Sequence, residues 1–166
     1  MAEDFARTKS DEFYAATPSP LSKFLIELYA VKRGYKTMTA DVSVAFLHAL
    51  QMGHVYIVPP NEFWSERYPR RSAMWKLKKQ LYGQRGAPKA WQSHLRKVLE
   101  DLGFVMNPAN PTMFFHEEKK ALIDVHVDDF HAAGPDEALL EVFAELSKVL
   151  MIKTSPLKMW ETRTSF

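Results

Sequence analysis

The order of apolar and polar positions predicts two strands that carry acidic residues. Apolar and polar residues alternate through residues 123–130, up to the pair Asp128 and Asp129, and a similar alternation through residues 36–42 includes Asp41. Strand side chains point to opposite faces in turn, so the acids of both segments are expected on the polar face of a sheet. Ile123, Val125 and Val127 are then predicted to face the core, and Asp124, His126 and Asp128 the polar side.

Three segments carry apolar residues at helical spacing. The first starts at Ser19-Pro20 and ends at Gly34, the second runs from Pro88 to Gly103, and the third starts at Asp136. Proline in the first turn, glycine after the last turn and an aspartate cap are typical helix boundaries. The three apolar stripes are Leu21, Phe24, Leu25, Leu28 and Val31; Trp91, Leu95, Val98, Leu99 and Leu102; and Leu139, Leu140, Phe143, Leu146 and Leu150.

Helices interleaved with antiparallel strands predict the α+β class. The expected architecture is an antiparallel sheet with helices packed on one face, which leaves the other face for a ligand. Residues 1–16 show no periodicity and are expected to form an irregular arm, residues 17–155 the domain, and residues 156–166 a tail. Residues 61–72 are predicted to be a loop.

Composition narrows the possible functions. The absence of cysteine excludes disulfides, thiolate metal sites and a cysteine nucleophile. No apolar run approaches the roughly 18 residues of a membrane span, so we expect a soluble intracellular protein, cytoplasmic or nuclear, that has no membrane partner. The formal charge of +2 does not by itself indicate nucleic-acid binding, so local clustering has to carry that argument.

Acids that converge in a sheet repel one another and lose hydration, and a hard divalent cation relieves both effects. Magnesium is typically bound by one or two carboxylates together with substrate phosphates, and a pair of such ions promotes in-line phosphoryl displacement. This chemistry suggests nucleotidyl transfer. Basic residues that suit nucleic-acid phosphates surround Trp75 and Tyr82, whose rings suit stacking on bases: Lys76, Lys78, Lys79, Arg85 and Lys89.

Three blocks in this order resemble the reverse transcriptases of copia-type retrotransposons. Residues 41–47 (DVSVAFL) resemble the first catalytic block, residues 78–91 (KKQLYGQRGAPKAW) the family-specific central segment, and residues 126–129 (HVDD) the catalytic hairpin. The resemblance extends from about Phe13 through the final helix, and it implies a polymerase palm-like domain for RNA-directed DNA synthesis.

The resemblance also implies roles for single residues. Asp41 and Asp128 match the principal metal ligands, Asp129 is a weaker or supporting acid, and Val42 supplies a backbone carbonyl. The implied cofactor is two Mg²⁺ ions, with Mn²⁺ as a substitute, and the implied partners are an RNA or DNA template–primer and deoxynucleoside triphosphates. The positions that match nucleotide-binding residues are Ala45, Phe46, Tyr82 and Gly83.

Other interpretations remain open. The family usually has tyrosine where this chain has His126, which is expected beside the primer, and serine where it has Gln80. The fingers, thumb and ribonuclease H regions are not recognised, which favours a catalytically inactive nucleic-acid-binding remnant, or a folded interaction unit with neither function. His126, His131, Asp124 and Asp128 together suggest a transition-metal site as a further alternative. The oligomeric state is not indicated.

Overall fold

The computed structural model describes residues 20–159, and the predicted arm and the tail beyond residue 159 lie outside them. The chain divides into two compact units. Among the described residues, one unit comprises residues 46–94, here called the basic unit, and the other comprises residues 20–45 and 95–159, here called the sheet unit.

Helices and strands alternate along the described chain, which confirms the α+β class. The helices are α1 (Pro20–Arg33), α2 (Ala87–Asp101) and α3 (Asp136–Val149), and short 3₁₀ helices span Ala45–His48 and Asn61–Phe63. The strands are β1 (Lys36–Val42), β2 (Tyr56–Ile57), β3 (Trp75–Lys76), β4 (Val105–Asn107), β5 (Asn110–His116), β6 (Ala121–His126), β7 (Asp129–Gly134) and β8 (Ile152–Thr154).

The sheet unit is built on a six-stranded sheet in the order β4-β5-β6-β7-β1-β8. All of its pairings are antiparallel. Strand β1 lies between β7 and β8, so it pairs with segments that are about ninety or more residues away along the chain. The two short strands β2 and β3 form a separate antiparallel ribbon in the basic unit.

Helices cover both faces of the large sheet, which corrects the prediction that they pack on one face. Phe143 of α3 contacts Phe130 of β7, with 6.2 Å between ring centroids. Ala133, on the opposite face of the same strand, packs with Ile26 of α1 and Met113 of β5. Because the central strands carry apolar side chains on both faces, each face needs a covering layer.

Helix α1 contacts the sheet through a different stripe from the one that predicted it. The buried residues are Ser22, Ile26 and Ala30, whereas Leu21, Phe24, Leu25, Leu28 and Val31 are exposed. Small residues allow a helix to approach a sheet closely, and the Ser22 hydroxyl also accepts a hydrogen bond from Asn110 Nδ2 at 2.8 Å. The stripes of the other helices are largely buried as predicted, including Trp91, Leu95 and Leu99 in α2 and Leu139, Phe143 and Leu146 in α3.

Candidate functional site

Two acids predicted as metal ligands lie on neighbouring strands of the sheet unit. Asp41, near the end of β1, is the register partner of Asp129, the first residue of β7. Both residues are exposed. Directly opposed residues share one face and have Cβ atoms about 4.5 to 5.5 Å apart, where two like charges repel. The pair is therefore a position at which a bound cation would relieve repulsion between carboxylates.

Asp128 lies in the two-residue turn between β6 and β7. Its carbonyl oxygen accepts a hydrogen bond from the amide of Val42 at 2.8 Å, so the main chain at residues 41–42 is adjacent to residues 128–129. Val127, predicted on the apolar strand face, is instead exposed in this turn with a φ of 55°. A β-branched residue rarely adopts this left-handed conformation, so the turn stores backbone strain beside the acids.

His126 extends the row of polar residues across the sheet. It is the register partner of Asp129 on β6, as Asp41 is on β1. Asp41, Asp129 and His126 consequently lie on three adjacent strands and on one face, and all three are exposed. A histidine at this position can donate or accept a hydrogen bond.

Asp124, predicted on the open polar face, lies on the same face as His126 and two residues before it on β6, but its side chain is buried. Its carboxylate accepts a hydrogen bond from Thr112 Oγ1 at 2.6 Å, and its burial raises the pKa of the carboxyl group. The neighbouring His131 lies 2.9 Å from Glu27 of α1, measured from Nε2 to Oε1, and burial lowers its pKa. Alternation therefore predicted the face of Asp124 correctly, but not its burial, because helix α1 covers this part of the polar face.

The donor set of the exposed acids suits a hard cation better than a transition metal. Among residues 20–159, no group of three or more His, Asp or Glu side chains forms a metal site. The transition-metal alternative needs Asp124 and His131, which are already paired with Thr112 and Glu27. Magnesium typically requires only one or two carboxylates plus substrate phosphates, a requirement that the opposed acids can meet.

The predicted nucleotide-binding residues occupy contrasting environments. In the basic unit, the rings of Phe46 and Tyr82 lie 4.6 Å apart between centroids at a tilt of 48°, and Tyr82 is 49% exposed. Gly83 follows with a φ of 94°, a backbone conformation that residues other than glycine rarely adopt. Ala45, in the sheet unit, has no exposed surface, so its methyl group is inaccessible to a ligand in this conformation.

The family-specific segment is held in place by polar side chains. Lys79 Nζ donates a hydrogen bond to the carbonyl of His48 at 2.7 Å, and buried Gln80 donates from Nε2 to the carbonyl of Leu50 at 3.3 Å. The amide of Leu81 donates to Gln84 Oε1 at 2.9 Å. Gln80, which departs from the family pattern, therefore supports the backbone here. Lys79, predicted to contact nucleic-acid phosphates, also has a structural contact within the chain.

The other predicted phosphate-binding residues of the basic unit are exposed, namely Lys76, Lys78, Arg85 and Lys89. Sequence analysis missed Arg67, Arg70 and Arg71, which flank Tyr68 in the segment predicted to be a loop. Residues 46–94 contain eight lysine and arginine residues against two glutamates, a formal charge of +6 in a chain whose total is +2. Counting charge by segment rather than over the whole chain would have revealed this surface.

Comparison with known proteins identifies the family. A family model described as reverse transcriptase (RNA-dependent DNA polymerase) matches residues 2–159. The retrovirus-related Pol polyprotein from transposon RE1 of Arabidopsis thaliana is 34% identical over 133 residues, which cover 76% of this chain and 9% of that protein. The putative transposon Ty5-1 protein of Saccharomyces cerevisiae is 30% identical over 116 residues, 68% of this chain and 37% of that protein.

The chain therefore belongs to the reverse transcriptase family, and the predicted resemblance to copia-type elements is confirmed. The RE2 polyprotein of Arabidopsis thaliana, 32% identical over 134 residues, gives the same result. This chain spans about 9% of the length of the RE1 and RE2 polyproteins. Among the described residues, no helix has the length and apolar character needed to cross a membrane.

Proposed function

We propose that this chain supplies the metal-binding and nucleotide-binding residues for RNA-directed DNA synthesis. The observation that carries the proposal is the direct pairing of Asp41 with Asp129, together with the hydrogen bond from Val42 to Asp128. These residues lie in the two blocks that resemble the catalytic blocks of the family. Their convergence on adjacent strands, across more than eighty residues of sequence, supports a shared role in binding one ligand.

The acidic residues would hold two Mg²⁺ ions, with Mn²⁺ as a substitute. Asp41 and Asp128 are the proposed principal ligands, with Asp129 as a supporting acid and Val42 contributing a backbone carbonyl. When bound, such a pair of ions activates the 3′ hydroxyl of a primer and neutralises charge on the triphosphate. The strained turn at Val127 and the hydrogen bond from Val42 fix the backbone on which these ligands are mounted.

The paired rings of the basic unit are proposed to select the sugar. Phe46 is the position that would crowd the 2′ carbon, and its packing against Tyr82 restricts how far the ring can withdraw. A ribonucleotide would press its 2′ hydroxyl onto an aromatic surface, where the hydroxyl loses hydration without gaining a hydrogen bond. Gly83, next to Tyr82, is the position that would line the nucleotide or the template base pair.

Binding to the template–primer is assigned to the exposed cations and to His126. Lys76, Lys78, Arg85 and Lys89 would neutralise backbone phosphates, while His126, beside Asp129, would pack near the primer end. Such contacts make affinity fall steeply with salt concentration. Lys79 is a weaker candidate for this role, because its ammonium group already donates to the carbonyl of His48.

A nucleic-acid-binding protein without catalysis is the alternative function. The observation that favours it is the location of the positive charge in residues 46–94, since binding through these residues does not require the acids of the sheet unit. This alternative predicts template–primer binding with a strong salt dependence and no nucleotide incorporation at any concentration of Mg²⁺ or Mn²⁺.

Primer extension on an RNA template tests the proposal. With oligo(dT) annealed to poly(rA), dTTP and Mg²⁺, we expect the chain to extend the primer, and the Asp128→Asn variant to lose extension. Asp101→Asn, which removes an exposed acid at the end of α2, is the matched control and should extend normally. Mn²⁺ binding followed by electron paramagnetic resonance gives a second readout, in which Asp41→Asn should weaken binding. Unchanged extension in Asp128→Asn would refute the assignment.

A further inference from the structure

Residues 63–75, most of which lie in the segment predicted to be a loop, carry a group of packed rings and several exposed arginines that the proposed active site does not use. We propose that this group binds single-stranded nucleic acid, with unpaired bases stacking on Tyr68 and Trp75 and phosphates contacting the arginines. It is named here the aromatic–arginine cluster and comprises Phe63, Arg67, Tyr68, Arg70, Arg71 and Trp75. All six residues belong to the basic unit.

Phe63 organises the aromatic side chains of the cluster. Its ring centroid lies 5.5 Å from that of Tyr68 in a stacked arrangement and 5.2 Å from that of Trp75 in an edge-to-face arrangement. Trp64 adds a further edge-to-face contact at 5.3 Å. Phe63 and Trp64 are only partly exposed. The two outer rings are thus held by packing on one side and do not have to be ordered by a ligand.

Tyr68 and Trp75 nevertheless keep a large open surface, because each is 43% exposed. The backbone that carries them is fixed: Trp75 pairs with Ile57 in the β2–β3 ribbon, and the amides and carbonyls of Ser65 and Tyr68 exchange two hydrogen bonds, at 3.0 and 3.1 Å. A pair of rigid, half-exposed rings is a suitable platform for stacking bases of any identity.

The arginines give the cluster its charge. The guanidinium of Arg67 lies 5.6 Å from the ring centroid of Tyr68, a distance at which cation–π attraction operates. Arg70 and Arg71 are exposed, and neither they nor Arg67 form an ion pair with any residue between 20 and 159. A planar guanidinium binds phosphate oxygens in a bidentate manner, so these side chains suit a polyanion.

The combination favours a single strand over a duplex or a protein partner. Bases in a duplex are stacked on one another and present only their edges, whereas the exposed rings of Tyr68 and Trp75 need free base faces. An acidic protein surface would pair with the arginines but would not use the rings in this way. The inference rests on the proposed function for the class of ligand, but strand binding at the cluster requires neither a divalent cation nor catalysis.

Fluorescence anisotropy with the whole chain tests the inference. Labelled 12-nucleotide oligo(dT) and oligo(rU), a 12-base-pair hairpin duplex, and vesicles containing phosphatidylserine are titrated in EDTA. We expect both single strands to bind more tightly than the duplex, and Trp75→Ala to weaken their binding about fivefold or more. Trp75→Phe should restore most of the affinity. The matched control is Phe24→Ala, which removes a 61% exposed ring from α1.

The arginines are tested by salt dependence. Arg70→Gln combined with Arg71→Gln should reduce the slope of log affinity against log salt by about 1.4 for a single strand, since each lost phosphate contact contributes about 0.7. Arg96→Gln combined with Lys97→Gln removes two exposed cations from α2 and should leave this slope unchanged. Circular dichroism of each variant shows whether it remains folded. If Trp75→Ala does not fold, the affinity of Trp75→Phe is compared with that of the wild type instead.

Three results would overturn the inference: an equal loss of duplex and single-strand affinity in Trp75→Ala, equal effects of Trp75→Ala and Phe24→Ala on single-strand affinity, or binding to the vesicles with none to the oligonucleotides. The inference and the proposed function fail separately. Single-strand binding in EDTA without any primer extension in Mg²⁺ would leave the cluster assigned and reject catalysis. Primer extension by a chain whose single-strand affinity does not depend on Trp75 would support catalysis and reject the assignment of the cluster.

Discussion

The two units of this chain differ in how they are stabilised and in the ligands that we propose for them. The sheet unit has six hydrogen-bonded strands with apolar layers on both faces, and it presents opposed acids at Asp41 and Asp129. The basic unit has only a ribbon of two-residue strands, short 3₁₀ turns and part of α2, and it relies on ring contacts and side-chain hydrogen bonds to its backbone. Regular hydrogen bonding positions the acids, and irregular packing positions the cations and rings.

This difference suits the two kinds of ligand. Binding small divalent cations requires carboxylates placed to within fractions of an ångström, which a strand register enforces. A nucleic-acid strand is a long polyanion that tolerates some variation in the position of each cation, because phosphates recur along it. The formal charge of +2 conceals this separation, since residues 46–94 alone carry +6. The comparison between the units therefore makes predictions that differ in kind and in size.

The largest expected effect is on catalysis, through the acids of the sheet unit. Asp41→Asn should reduce primer extension about a hundredfold or more, because a neutral amide holds a divalent cation poorly and the charge building on the triphosphate is then uncompensated. The affinity for template–primer should change little. A steady-state extension assay with a parallel binding titration measures both quantities, and Asp101→Asn serves as the control. A loss of binding equal to the loss of extension would contradict this division of roles.

The next largest effect concerns the stability of the sheet. Ile123, in the centre of β6, has no exposed surface, so Ile123→Ala should lower the free energy of unfolding by about 2 to 5 kcal/mol through lost burial and a residual cavity. Leu140→Ala removes an exposed side chain from α3 and should change stability by about 0.5 kcal/mol or less. Urea unfolding followed by circular dichroism compares them. Equal effects would mean that Ile123 is not in a packed core.

A smaller effect is expected from the buried carboxyl group of Asp124. Burial raises its pKa in the folded state, so between the ordinary value of about 3.9 and this raised pKa the folded protein holds more protons than the unfolded chain. The contribution of Asp124 to stability is therefore complete below pH 3.9 and declines as the pH rises through the raised pKa. Asp124→Asn should remove this decline, as measured by thermal unfolding across pH.

The control for this prediction is Asp101→Asn, whose exposed carboxyl group is replaced without any change in buried charge. Its stability should follow the wild-type dependence on pH. If the Asp124→Asn and wild-type curves were parallel between pH 4 and 7, the carboxyl group of Asp124 would have the same affinity for protons in the folded and unfolded states. That result would contradict its burial against Thr112.

Part of the fold follows directly from the sequence. Alternation predicted β1 and β6 because each has one uniformly apolar face, and helical spacing predicted α2 and α3 because their apolar residues form a single stripe. Helix α1 shows the limit of this reasoning. Apolar residues surround most of its circumference, so periodicity could not identify the stripe formed by Ser22 and Ala30, which is selected by close approach to the sheet.

The candidate site was predictable in its members but not in its register. Valine is favoured in strands, so alternation extended β6 through Val127, whereas the chain turns there with a positive φ. Consequently Asp129, which was expected to be a supporting acid, is the direct partner of Asp41, and Asp128 contributes a carbonyl contact from the turn. Apart from Trp75, whose ring was expected to stack on bases, the residues of the aromatic–arginine cluster were missed, because their contacts have no sequence period and depend on how an irregular segment folds.

The smallest expected effects separate two lysines of the basic unit. Lys79→Met should lower the free energy of unfolding by about 0.5 to 1.5 kcal/mol, because its ammonium group donates to the carbonyl of His48. Lys76→Met should change stability by less than about 0.5 kcal/mol, since Lys76 forms no ion pair with a described residue, but it should reduce the salt slope of single-strand binding by about 0.7. Urea unfolding and salt titrations on both variants measure these quantities. A larger change in salt slope for Lys79→Met than for Lys76→Met would show that position 79 contacts nucleic acid. One lysine would then both hold the backbone in place and bind phosphate, which contradicts the assignment of these two roles to different lysines.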